Sequence, residues 1–273
     1  MGNTSSNTPA DISALVSLAK DGSPHQKERA AWALSDLSFD LDNQVRIAAA
    51  GGISPLVTLL RDGDSVQKEI AAGVLWQLSL NSETRANFAA SGALPVLVSS
   101  LLSSGNSHER EAAAGALWAL ASIRENGVAI ADVGGLYALV DLVQRGNVNE
   151  RQVAAGALWA LSGTTEHQAV IAALGGIRAL VSLASDRDCE RKENALGVLW
   201  NLAYNHLGRQ DELAACGAID SLVDLSRTGT FKQKELATGV LGFISRFLSA
   251  QDKEDIAANG GVETLLIRVD SDS

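Results

Sequence analysis

One twelve-residue line returns six times along this chain, and repetition of that kind restricts the fold more than any other feature of the sequence. It reads KERAAWALSDLS, KEIAAGVLWQLS, REAAAGALWALA, RQVAAGALWALS, KENALGVLWNLA and KELATGVLGFIS. Its sixth position falls at residues 32, 73, 115, 156, 197 and 239, in steps of 41 or 42. A second line runs between these: GGISPLVTLL, GALPVLVSSLL, GGLYALVDLV, GGIRALVSLA, GAIDSLVDLS and GGVETLLIRV. Its first glycines are Gly51, Gly92, Gly134, Gly175, Gly217 and Gly260, in steps of 41 to 43. Two independent lines with one period do not arise by chance.

Each unit reads as three helices. A short first helix carries an apolar residue four places before the glycine: Ile47, Phe88, Ile130, Ile171, Leu213 or Ile256. The glycine ends that helix, because it enters the left-handed conformation at little cost. The second helix shows apolar residues at helical spacing, as in Ile53, Leu56, Val57 and Leu60. A polar turn follows, such as Arg61-Asp62-Gly63-Asp64-Ser65. The third helix is the longest, with a buried stripe such as Ala71, Val74, Leu75 and Leu78. Its small Ala-Ala-Gly segment lets neighbouring helices approach closely. One unit cannot bury its own stripe, but stacked units can.

These residues resemble armadillo repeats: a period near 42, three helices per unit, an AAGALWxLS third helix and a GGIxxLVxLL second helix. The likeness covers residues 10–268. HEAT repeats have two helices and lack this pair of lines. The resemblance implies an all-α solenoid, a right-handed superhelix of three-helix repeats. The expected organisation is a flexible tail over 1–9, a repeat domain over 10–269 with five complete units and partial units at both ends, and an acidic tail over 270–273. The first unit departs from the rest, with Trp32 at the glycine place and Ser35 at the Trp place. The last has Gly242 at the Trp place with Phe243 beside it. Both fit caps, or cuts from a longer array.

The resemblance also implies a concave groove lined by the third helices, where a partner protein binds. In the importin-like pattern a Trp and an Asn four residues later share one helix face. Here the Asn slot holds Asp36, Gln77, Ala119, Ala160, Asn201 and Phe243, and the Trp slot holds Trp32 followed by five glycines. Only Asn201 matches, with Gln77 as an imitation, so the importin ladder is mostly absent. A different column is present. Trp76, Trp118, Trp159 and Trp200 each stand three residues after the glycine. They read either as anchors for a partner or as lids on the glycine of their own or the next helix.

Three places before the glycine come Arg29, Ile70, Ala112, Val153, Asn194 and Leu236. With the Trp column they predict a groove that is apolar in its middle, suited to an amphipathic helix. A cation opens each third helix: Lys27, Lys68, Arg110, Arg151, Lys192 and Lys234, usually followed by Glu. It reads as a solvated helix start with weak ion pairs, or as a charged rim that orients an acidic partner.

The remaining features narrow the function. A net charge of −10 argues against binding a phosphate backbone, which needs clustered Lys and Arg. Cys189 and Cys216 match no disulfide framework or metal spacing, and read as small core residues in a reducing compartment. The histidines His25, His108, His167 and His206 stand at no triad or metal spacing, and the glycine pairs precede no phosphate-loop Lys. The expectation is a protein without catalytic residues, metal or cofactor. Gly2 followed by Ser6 fits a myristoylation pattern, and one such chain gives only marginal membrane binding.

The expected function is therefore a scaffold or adaptor that binds a peptide or helical segment of a protein partner, with a weak lipid tether at Gly2. It is expected as a monomer in the cytoplasm, with the membrane periphery and nucleus left open. An importin-like receptor for basic peptides ranks second. A regulatory subunit of an enzyme complex ranks third.

Overall fold

The computed structural model describes residues 9–102, 106–187, 189, 191–204, 206–248, 250–251 and 254. Gly2, Ile256, Gly260 and the 270–273 segment lie outside them. Among the described residues every regular element is a helix. An opening pair, α1 (Pro9–Asp21) and α2 (Pro24–Leu37), precedes five triads. They are α3 (Leu41–Ala49), α4 (Ile53–Asp62) and α5 (Ser65–Leu80); then α6 (Arg85–Ala90), α7 (Ala93–Leu101) and α8 (Ser107–Leu120). Next come α9 (Arg124–Asp132), α10 (Gly135–Arg145) and α11 (Val148–Leu161), followed by α12 (Thr165–Ala173), α13 (Gly176–Ser185) and α14 (Lys192–Ala203). The last triad is α15 (Leu207–Ala215), α16 (Ala218–Thr228) and α17 (Phe231–Phe243). The helices fall into two compact units, residues 1–138 and 139–273, with the border inside α10.

The turn between first and second helices forms as the sequence predicts. Gly51, Gly92, Gly134, Gly175 and Gly217 all have φ between 70° and 85°, where a Cβ would be strained. The next residue meets a tighter constraint. A Cβ added to Gly52 or Gly176 would come within 2.7 Å of Cγ2 of Ile47 or Ile171, and Gly135 meets Ile130 in the same way. Where the first helix carries an unbranched Cβ instead, at Phe88 and Leu213, the residue five places on is Ala93 or Ala218, fully buried. The β-branch methyl and the alanine methyl compete for one volume.

Four of the six third helices start on capping boxes. Ser23 with Gln26, Asp64 with Gln67, Asn147 with Glu150 and Thr230 with Gln233 each exchange side-chain and backbone hydrogen bonds. Several of these residues also reach the preceding repeat. Gln67 Nε2 donates to the Pro24 carbonyl at 3.1 Å, and Gln233 Nε2 to Glu193 at 2.9 Å. At the other end, Ser38, Ser79 and Ser162 turn their hydroxyls back to the carbonyls of Ser35, Trp76 and Trp159. Gln44, Gln168 and Gln210 on the first helices donate to the carbonyls of Ser38, Ser162 and Ala203. Carbonyls orphaned at the helix ends thus find partners inside the repeat.

Glu109 is a buried exception. It lies in the first turn of α8, where burial raises its carboxyl above the ordinary range, against a hydrogen bond with Ser100 that lowers it. A carboxyl raised by folding favours the folded state below its unfolded pKa, and that contribution is lost as pH rises through the folded value. Glu109→Gln is therefore expected to be more stable than wild type at neutral pH. The difference should shrink as pH falls toward about 4, as read from urea midpoints across pH.

Candidate functional site

One stripe of the third helices is covered only in part, and α5 shows it best. On α5 it runs Val66, Glu69, Gly73, Trp76 and Leu80, at alternating steps of three and four. Its opposite face, with Ile70, Ala71, Val74, Leu75 and Leu78, is buried. The stripe is thus the side of α5 that stays exposed or half-buried.

The four tryptophans of the column sit on this stripe, each half-buried. The buried part of Trp76, Trp159 and Trp200 rests on the next third helix. A Cβ on Gly197 would overlap the Trp159 indole, reaching 2.5 Å from Cδ2. Gly115 meets Trp76, at 2.6 Å from Nε1, and Gly239 meets the six-membered ring of Trp200. The two readings of the column therefore hold together. In Trp76, Trp159 and Trp200 part of the ring covers a glycine, and the remainder is open to solvent. Trp200 is held further by an edge-on contact with Phe243, centroids 5.4 Å apart, and Tyr204 meets the same ring at 5.7 Å.

Other expected groove residues divide. Trp32 is 52% exposed, Asp36 is exposed and Gln77 is half-buried. Ile70, Val153 and Asn194 are instead buried, at 5%, 4% and 7% exposure. Asn194 Nδ2 donates to the Gln152 carbonyl at 3.0 Å, tying α14 to α11. Leu236 and Ala112 are buried as well. The apolar middle expected of the groove is therefore core, because this position faces the adjacent repeat and not solvent. Asn201 is half-buried and donates to Ser162 Oγ at 2.8 Å, so its amide serves the contact between repeats.

A row of acids, expected from sequence only as ion-pair partners of the cations, stands on the stripe. Glu28, Glu69, Glu111, Glu193 and Glu235 each lie four residues before the glycine place, with Gln152 in the remaining repeat. Glu235 is exposed and the other four are half-buried. Glu69 accepts from the Asn106 amide, and Glu193 from Thr230 Oγ1 at 3.1 Å and Gln233 Nε2. These donors are neutral, so they orient both carboxylates without cancelling their charge. Glu235 pairs with Lys232 at 3.0 Å. The signal for the row is the Glu after five of the six cations, at the same helical register as the Trp column.

The cations take the adjoining register. Lys27, Lys68, Arg110, Arg151, Lys192 and Lys234 are all half-buried, which departs from a fully solvated helix start. Arg151 pairs with Asp186 at 3.1 Å across the following repeat. Among the described residues no group of three His, Cys, Asp or Glu comes together as metal ligands. Cys189 is buried, and burial raises its thiol above the ordinary range; Cys216 is half-buried. His167 places Nδ1 2.8 Å from the Leu161 carbonyl, and the other three histidines are exposed. No single described helix is long and apolar enough to cross a membrane.

Comparison with known proteins agrees with this architecture. The Armadillo/beta-catenin-like repeat family matches residues 164–204. No curated protein matches the chain significantly. Among solved structures, an engineered protein aligns with 28% identity and a TM-score of 0.77, over 87% of this chain and 97% of its own. A designed armadillo repeat protein in complex with the peptide (KR)4 aligns with 22% identity and a TM-score of 0.75, over 86% of this chain and 99% of its own. A third similar structure is of computationally designed armadillo repeat proteins for modular peptide recognition, with 22% identity, a TM-score of 0.78, and 85% and 99% of the two chains covered. The chain folds as armadillo repeats, and its 164–204 unit is one by sequence as well.

Proposed function

We propose that this chain is a protein-interaction scaffold that binds a peptide segment of its partner along the open stripe of its third helices. The observation that carries the reading is the stripe itself. It carries a half-open indole and a carboxylate at one register on α5, α8 and α14, and an indole with Gln152 on α11. Half-open aromatic rings supply large apolar area with little conformational freedom to lose, which suits anchoring a partner's side chains. Nothing in this stripe brings together a nucleophile, base and orienting group, so binding is the chemistry it offers.

A second, narrower reading is favoured by the glutamate row: the bound segment is basic. Lys and Arg side chains would lay their apolar stems on the indoles and their charges against the carboxylates. A designed armadillo repeat protein of the same fold is in complex with the basic peptide (KR)4, which supports a basic ligand. An amphipathic helix loses support, since Ile70, Val153 and Leu236 are not available to its apolar face. A weak tether through Gly2 and a cytoplasmic location remain part of the proposal. The mass of the N-terminal peptide from native cells tests the lipid.

Fluorescence anisotropy with a labelled peptide of alternating Lys and Arg tests the site. Glu111→Lys should weaken binding about fivefold, two surface charge pairs' worth. Raising the salt should weaken the wild type more steeply than the variant. Affinity that survives both Glu111→Lys and Trp159→Ala would place the ligand elsewhere.

A further inference from the structure

We propose that the open place above Gly73 is a docking slot for an aromatic side chain of the bound peptide, an inference that rests on the third-helix stripe being the peptide site. Trp76 lies on Gly115, Trp159 on Gly197 and Trp200 on Gly239. In each case the indole comes from the preceding third helix, 38 or 39 residues earlier. The residue 38 before Gly73 is Ser35 on α2, which packs against α5. Serine fills little of the volume an indole takes. A Cβ built on Gly73 accordingly meets nothing within 4 Å.

The glycine itself points the same way. In the middle of a helix it costs about 1 kcal/mol relative to alanine. At Gly115, Gly197 and Gly239 the reason for it is visible, since an indole occupies the space a methyl would need. At Gly73 none of the described residues takes that space. What fits is known from the other repeats of the same fold: a flat aromatic ring laid on the helix backbone. Trp32, one turn before Ser35 and 52% exposed, adds an aromatic side chain on the same face. The charges at the edge decide the neighbours of that ring. Glu28 and Glu69 stand on the stripe itself and Asp36 is exposed beside Ser35, while the cations Lys27, Arg29 and Lys68 take the adjoining registers of α2 and α5. The slot therefore takes a tryptophan, or a similar ring, from a segment that is otherwise basic.

The test uses two labelled octapeptides, one of alternating Lys and Arg and one with a central residue changed to Trp. They are titrated into wild type, Ser35→Trp, Ser35→Ala and Gly73→Ala by anisotropy. The Trp peptide is expected to bind wild type about tenfold tighter, the gain from burying one aromatic ring. That advantage should persist in Ser35→Ala, fall in Gly73→Ala and vanish in Ser35→Trp, whose own indole fills the slot. Gly73→Ala guards against misfolding of the larger change. If both peptides bind wild type equally, the slot is overturned while the groove stands. If neither binds, the groove reading fails and the slot with it.

Discussion

Gly197→Ala is expected to destabilise the chain by about 2 kcal/mol, while Gly73→Ala, the same change at the equivalent place, should stabilise it by up to about 1 kcal/mol. A helix-interior glycine replaced by alanine ordinarily gains stability, because the unfolded chain loses freedom and the helix gains propensity. At Gly73 nothing opposes that gain, since the new methyl meets open space. At Gly197 the methyl overlaps the Trp159 ring body, at Cδ2 and its bonded neighbours. The indole must swing off α14 or the two helices must part. Either loses contacts over the ring face. Denaturant midpoints measure both variants. In Gly197→Ala the Trp159 indole N–H resonance should also move toward its solvent-exposed position. Equal effects at the two sites would mean that the indoles do not depend on bare glycine for their seat.

The second large effect is expected at Gly135. Gly135→Ala should cost about 2 kcal/mol by overpacking against Ile130, and Ile130→Leu in the same chain should recover at least half of that loss. The pairing already occurs elsewhere in the chain. Phe88 precedes Ala93 and Leu213 precedes Ala218, whereas Ile47, Ile130 and Ile171 precede glycines. Only isoleucine has a Cγ2 methyl in the volume that an alanine methyl would take. The new Cβ also approaches the Ile130 carbonyl at 2.6 Å, so the recovery is partial. A double-mutant cycle on urea unfolding gives the coupling directly, and about 1 kcal/mol or more is expected. Independent effects of the two changes would show that the backbone contact alone requires glycine.

Much of the fold is legible in the chain because a repeat states the same physics several times. The spacing of Gly51, Gly92, Gly134, Gly175 and Gly217 locates five left-handed turns, and all five adopt positive φ. Apolar spacing such as Leu56, Val57 and Leu60 marks the buried face of the second helices. These features are local: one residue's conformational freedom, or the period of one helix. The capping boxes at Ser23, Asp64, Asn147 and Thr230 were equally local and readable from their Gln or Glu three residues on.

The site was less legible, because exposure in a stacked repeat depends on the neighbours of a helix as well as its own period. Ile70 and Val153 stand one place beyond the glutamate row, and that one place turns them into the adjacent helix. The indole of Trp159 is half-covered only because the glycine it rests on belongs to the following repeat, 38 residues away. Periodicity gives the direction of a side chain from its own helix axis. It does not say which directions a second and third helix will close. So the sequence by itself determined the repeat, its three helices and its glycine turns, all set by short-range conformational preference. Only the packed structure decided which stripe stays open, that Trp76, Trp159 and Trp200 both seal and line it, and that the seat above Gly73 holds no ring from the described residues.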